Sequence, residues 1–273
     1  MIEAAVLLAA VGAADLVRAL VPHRVASLAL GALTGVGVAV LGAVYAGAAG
    51  WAPYAVAALV ALWLWAMTPE PGEEPERIWP GIVVLVAAAV AAVALPVSGA
   101  PRPGLATWYA ATAPGEAGIG WTTAVVTLGV VLFLLRSTNL LVRAAIASRA
   151  AARPSTAPEA TPSLRSGAEG WRVRMGRWSV ADVERVAASG RAAPQLVGGR
   201  VIGPIERLLL IGLGLAGGAA VIAALVAAKG VVRFPEISAD RGTGANAETF
   251  LVGSLTSWAV AAGGALLIWG TLG

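Results

Sequence analysis

Residues 201–238 read VIGPIERLLLIGLGLAGGAAVIAALVAAKGVVRFPEIS. Between 201 and 228 only Glu206 and Arg207 are charged, and the run exceeds the roughly 20 apolar residues that a helix needs to cross a hydrocarbon core of about 30 Å. Six further apolar runs, at 2–21, 25–47, 52–67, 79–95, 121–135 and 247–269, complete a pattern of seven predicted transmembrane helices. No ten-residue alternating segments of a membrane barrel accompany them. The chain reads as an all-α integral membrane protein in three parts: helices over 1–147, a linker and small basic segment over 148–200, and a helical hairpin over 201–273.

Composition agrees. Of 273 residues, 58% are hydrophobic and 12% charged, and the mean hydropathy is +0.81, outside the range of ordinary soluble domains. With no cysteine there is no disulfide, thiolate nucleophile or Cys metal site. His23 is the only histidine, so a His metal cluster has no second member, and no metal or cofactor is expected. Within "VPHRV" His23 reads as a solvated turn residue. Glu3 and the lack of a basic leader argue against a signal peptide, so the first run is expected to remain as an anchor. The Ala, Gly and Arg bias points to a high-GC bacterial genome, which by itself makes Lys229 the only lysine.

Loop charges set an expected orientation, since cytoplasmic loops retain Lys and Arg. An outside N-terminus leaves Arg18, Arg24, Arg77 and the eleven arginines from Arg136 to Arg200 in the cytoplasm of a bacterial plasma membrane. Only Arg102, Lys229, Arg233 and Arg241 then lie outside, and the C-terminus is inside. Trp51, Trp79, Trp108, Trp121 and Trp269 fall near span ends, where indole rings favour the interface.

The 136–200 loop is expected to bind anionic lipid headgroups or to dock a protein partner. Its 150–170 stretch has linker composition. Beyond it, Trp171, Val173 and Met175 alternate with Arg172 and Arg174 as in a strand. Ser179 and Asp182 then suggest the start of a short helix ending near Gly190. No nucleic-acid-binding module accompanies the arginines, so nucleic acid is not an expected partner.

Several constellations carry charge. Asp15 and Arg18 stand three apart and can pair on one helix face. Arg136, Asn139 and Arg143 suit snorkelling to phosphates. The Gly212-x-Gly214-x-x-Gly217 spacing lacks the strand and acidic residue of a dinucleotide site, so these glycines, Gly218, and Gly31 with Gly35 read as close-packing positions. In the last third, Pro204 and Glu206 suit a helix start, and Lys229, Arg233 and Glu236 share a face up to the boundary that Pro235 suggests. Asn246 suits an N-cap, with Glu248 in the first turn after it. A hairpin of the last two spans then makes Glu248 the expected partner of Lys229 or Arg233.

Three motifs carry a resemblance: Ile202, Gly203, Glu206, Arg207; Ala228, Lys229, Arg233, Phe234, Glu236; and Ala247, Glu248, Gly253, Leu255, Ser257. Together they resemble the C-terminal third of a family of uncharacterised bacterial multi-pass membrane proteins, with Thr249 where that family has Tyr. The match covers about seventy residues. At the N-terminus the family carries a His and a Gln around Gly-Asp-Phe, whereas this chain keeps Asp15 alone. The resemblance implies a membrane protein and marks residues without implying a reaction.

The sequence favours a binding, assembly or accessory role without catalysis, because it lacks metal ligands and nucleophile–base pairs. A carrier or channel for a small solute or lipid headgroup is the alternative, and an intramembrane enzyme comes third. Transport predicts that Asp15, Arg18, Glu206, Lys229, Arg233 and Glu248 line one cavity, while assembly predicts a packed bundle. Neither an internal repeat nor a Gly/Pro-broken span with a polar centre is evident, which counts against a coupled carrier.

Overall fold

Small residues decide where the helices of this protein touch. The computed structural model describes residues 1–67, 77–95, 104–112, 119–152, 171–175, 178–183, 199–238 and 244–272. These form α1 (Ile2–Leu20), α2 (Arg24–Leu41) continued by a π-helical turn (Gly42–Ala46), α3 (Ala52–Ala66), α4 (Trp79–Ala94), α5 (Leu105–Thr112), α6 (Trp121–Leu135) and α7 (Ser137–Ala152). After the strands β1 (Trp171–Met175) and β2 (Trp178–Val183) come α8 (Gly199–Leu215), α9 (Ala219–Ser238) and α10 (Ala245–Trp269). The chain divides into two units, one of Met1–Ala152 with Arg200–Gly273 and one of Arg153–Gly199.

In the larger unit α1 is the central helix, buried from Ile2 to Leu8 and again at Ala10–Gly12, Ala14 and Asp15. It packs against α2, α3, α4 and α6. Glycines bring α1 and α6 into backbone contact: a Cβ on Gly12 would lie 2.5 Å from the Leu132 carbonyl carbon, and one on Gly129 would collide with the Ala5 carbonyl. On α2, Ser27, Gly31, Gly35 and Ala39 form the inward seam at steps of four, as the sequence suggested for Gly31 and Gly35. Leu30, Leu33, Val36 and Val40 of the same helix face outward. The same division recurs on α10, with Ser254, Ser257, Ala261 and Gly264 inside and Leu251, Leu255, Leu266 and Trp269 outside. Burying small residues while exposing large apolar ones is the packing logic of helices in lipid.

The helical class expected from the apolar runs holds for the larger unit. Arg24–Ala46 and Ala245–Trp269 are each long and apolar enough to cross a membrane, and α6 with α7 makes a third such segment if their bent pair counts as one span. The helices Ala52–Ala66 and Trp79–Ala94 are apolar but shorter.

Four local expectations are corrected. The run 201–228 is not one helix, because Gly217 adopts a left-handed φ of 73°. The Gly218 amide donates to the Leu213 carbonyl at 2.7 Å and the Gly217 amide to the Gly214 carbonyl at 3.2 Å, the two bonds of a Schellman end. The turn therefore uses Gly217 and Gly218, and a Cβ on Gly212 or Gly217 would meet nothing within 4 Å, so neither Gly212 nor Gly217 is a close-packing position between two spans. Pro235 does not end α9, which runs on to Ser238. Asn246 lies inside α10, whose N-cap is Gly244.

The fourth correction concerns the smaller unit. Residues 178–183, where a helix was expected from Ser179, form β2, paired antiparallel with β1. Alternating residues with a one-residue slip suit a bulged hairpin. The linker region 153–170 lies outside the described residues, and α7 extends the helix to Ala152 where that linker was expected.

A candidate site at a broken helix

A helix that stops leaves its last four carbonyls without amide partners. α6 stops at Leu135, and α7 restarts at Ser137 after a bend of 47°. Two buried charged residues from other helices close this break. Arg207 of α8 donates through Nη1 to the Leu134 carbonyl at 2.7 Å, through Nη2 to Asn139 Oδ1 at 2.5 Å and through Nε to Ser257 Oγ at 2.9 Å. A cation at a helix C-terminus also complements the dipole there. Gly203 makes room for this fork, since a Cβ there would lie 3.2 Å from Arg207 Nη2 and 3.3 Å from Asn139 Oδ1.

On the restarting side the arrangement reverses in sign. Asp15 of α1, 0% exposed, accepts from Ser137 Oγ, the first residue of α7, at 2.6 Å. Its Oδ2 also accepts from Trp63 Nε1 of α3 at 2.9 Å, and its Oδ1 from Arg18 Nη1 at 2.9 Å. A carboxylate at a helix N-terminus is the favourable counterpart of a guanidinium at a C-terminus. The Asp15–Arg18 pair expected from sequence is present, and Trp63 and Ser137 are additional partners. Because a buried charge is tolerated only when paired and hydrogen-bonded, the four groups form a hydrogen-bonded polar junction of α1, α3 and α7 around the Asp15 carboxylate.

The residue before Arg207 on α8 faces elsewhere. Glu206 accepts from Lys229 Nζ at 2.8 Å on each oxygen and from Trp258 Nε1 at 3.0 Å. The ammonium also lies 5.3 Å from the Trp258 ring centroid, within cation–π range. Lys229 therefore links α9 to α8, and of the two expected pairings of Glu248 the one with Lys229 is corrected. The Schellman turn is the cause, because it folds α9 back along α8 and brings 206 and 229 level. Glu248 instead accepts from Arg149 Nη2 of α7 at 2.8 Å in an exposed ion pair.

The candidates thus gather in three places: Asp15 with Arg18, Arg207 beside the break, and Glu206 with Lys229. Glu248 pairs with Arg149 of α7. Arg233 is half-buried one turn beyond Lys229 on α9, and the Glu236 side chain lies outside the described part of the structure. His23 is exposed, as expected of a turn residue. Asn139, read from sequence as part of a headgroup-snorkelling set, is instead an acceptor for Arg207. A cavity of about 450 Å³ lies between α1, α4, α6 and α10, lined by apolar residues such as Leu85, Ala88, Phe133, Val260 and Gly263. None of the candidate charged residues lines it. Among the described residues, no group of three or more His, Cys, Asp or Glu side chains is placed to hold a metal ion.

Sequence reasoning missed Trp63, Ser137 and Trp258, and it marked Ser257 only as a motif residue, without its Arg207 partner. Trp63, Ser257 and Trp258 are polar-tipped residues inside apolar runs and Ser137 follows the end of one, and the only available signal was that such a residue needs a partner when buried. Residues of the three C-terminal motifs do meet, as Glu206 with Lys229 and Arg207 with Ser257. No protein family, curated protein or solved structure matches the chain.

Proposed function

We propose that this chain is a multi-pass protein of the bacterial plasma membrane, with about seven helical passes, its N-terminus outside and its C-terminus inside, serving a binding, assembly or accessory role without catalysis. One observation carries the reading: Asp15, Arg18, Glu206, Arg207 and Lys229 are bonded to helix ends or to one another, and none of them lines the apolar cavity. Large apolar residues facing outward on α2, α4 and α10 support membrane burial. The likeness of the C-terminal motifs to the bacterial multi-pass family belongs to this reading, since motif residues form two of the inter-helix links.

The test is complementation of a deletion strain, read together with the amount of folded protein. Lys229→Met is expected to lower the folded amount, because it leaves Glu206 with Trp258 alone, and Lys229→Arg is expected to restore most of it. If Lys229→Arg accumulates normally and still fails to complement, the purely structural role is overturned.

Transport remains the second reading, favoured by one specific feature. Carriers place substrate and ion sites at interrupted helices, and α6–α7 is interrupted between Asp15 and Arg207. Ion- or proton-coupled flux in proteoliposomes that Asp15→Asn abolishes, with the fold intact, would replace the assembly role by transport.

A further inference from the structure

Two adjacent glycines of α10 do opposite things. A Cβ on Gly264 would lie 2.7 Å from Val130 Cγ1 of α6, so this glycine lets the two helices approach, whereas a Cβ on Gly263 would meet nothing within 4 Å. Gly263 instead borders the apolar cavity of about 450 Å³ between α1, α4, α6 and α10. Its missing side chain leaves room there, at the cost in helix stability that a mid-helix glycine carries. The facing wall repeats the device, since α4 presents Ala88, Ala89 and Ala92 to the same space. One side of the cavity is deep and the other open. Phe133 and Leu134 of its floor are 2% and 1% exposed, while Val93 and Leu266 of its rim are 88% and 66% exposed. It is therefore a cleft that opens between α4 and α10, onto a surface that the membrane reading assigns to lipid.

Size and chemistry select the occupant. Every described side chain of the lining is apolar, so a charge, hydroxyl or headgroup drawn inside would meet no side-chain partner, which is costly. Apolar cavities exclude water and take up hydrocarbon. The volume falls within the roughly 300–1,000 Å³ of small-molecule sites. Its lining runs from Leu85 to Val93 on α4 and from Ala259 to Leu267 on α10, about 12 Å of helix at about 1.5 Å per residue. That length is close to the depth of one leaflet, half of a hydrocarbon core of roughly 30 Å. Val93 lies one residue from the end of α4, so a chain that enters there leaves its polar end at the membrane surface. Building on the membrane reading above, we propose that this cleft is a binding site for one acyl chain of a bilayer phospholipid, whose headgroup stays outside the protein. Close packing against the floor then gives that lipid the dispersion contacts that hold helices together in a bilayer.

The test uses the full chain in phosphatidylcholine vesicles that contain a trace of phosphatidylcholine with a photoreactive diazirine midway along one acyl chain. Photolysis is expected to label Phe133 and the α4 and α10 walls several-fold more than Leu33, Val36 and Val40, the outward face of α2 that any neighbouring lipid reaches. Gly263→Leu is expected to fill the cleft and lower wall labelling to the α2 level. Ala89→Leu should do the same from the facing wall, with the folded amount of both variants measured alongside. Wall labelling that stays at the parent level in either folded variant overturns the proposal. So does labelling in the parent no stronger on the walls than on α2, which would mean that protein covers the cleft. A free fatty acid carrying the same diazirine separates the sources: walls labelled by it and not by the phospholipid overturn the phospholipid as ligand. Alkaline extraction of the same vesicles separates the two levels. Protein that resists extraction without preferential wall labelling sinks the cleft proposal alone, and protein that is extracted sinks the membrane reading.

Discussion

The larger unit interrupts its helices at Arg136 and at Gly217, and the two interruptions are closed by opposite means. At Gly217 the backbone closes itself, with two Schellman bonds spanning residues 213–218 and a left-handed glycine. At Arg136 there is neither Gly nor Pro, and side chains from four other helices act instead: Asp15 from α1, Trp63 from α3, Arg207 from α8 and Ser257 from α10. The first break belongs to the local chain and forms wherever those residues occur. The second exists only while its partners are in place. A locally closed break is therefore suited to a fixed turn, and one held by distant charges to a junction that depends on assembly.

Substitutions should separate the two kinds. Arg207→Met is expected to have the largest effect, about 2–6 kcal/mol, because it orphans two buried neutral acceptors, the Leu134 carbonyl and Asn139 Oδ1, at about 1–3 kcal/mol each. Arg207→Lys should recover only part of the loss, since an ammonium lacks the planar fork that reaches three acceptors. Reversible unfolding in mixed micelles checks both, and equal stability of Arg207→Met and the parent would show that the break closes without α8. Ser137→Ala comes next, at about 1.5–3 kcal/mol, because it removes a buried hydrogen bond to a charged acceptor. The same unfolding measurement, combined with Asp15→Asn in a double-mutant cycle, should give a coupling well above the error. Additive single effects would mean that the 2.6 Å contact contributes no specific energy. Smallest is Gly217→Ala, at about 1–2 kcal/mol for a non-glycine residue held left-handed, and Gly217→Asn should cost less. Because Glu206 and Lys229 meet only if the turn forms, crosslinking of Cys pairs placed near 206 and 229 reads its geometry directly. Unchanged stability and crosslinking in both variants would show that the left-handed turn is dispensable.

Much of this was legible in sequence, for reasons that can be traced to residues. The Asp15–Arg18 pair was accessible because helical spacing of three sets it locally. The inward seam of Gly31 and Gly35 was accessible because small residues at steps of four have few other uses in an apolar helix. The Gly217–Gly218 turn was encoded just as locally, but an uninterrupted apolar run masked it, since hydropathy reports the surroundings of a helix and not its continuity. At 136–139 the residues Arg, Ser, Thr and Asn resemble an ordinary span end, and only the helix continuing beyond them reveals a break. Glu206 and Glu248 are equally good carboxylates for Lys229 by chemistry. The fold direction after Gly217 decides between them.

By itself the sequence determined the helical, apolar class of the larger unit, the exclusion of cysteine chemistry and of a histidine cluster, and the arginine-rich segment, because these depend on composition and on periods of a few residues. Tertiary structure alone decided which carboxylate Lys229 meets, why Arg207 is buried and what Asp15 holds. Each of those outcomes turns on an interaction between residues far apart in the chain, whose partners become defined only when helix crossings and breaks fix which unsatisfied carbonyls and carboxylates lie within about 3 Å of a donor.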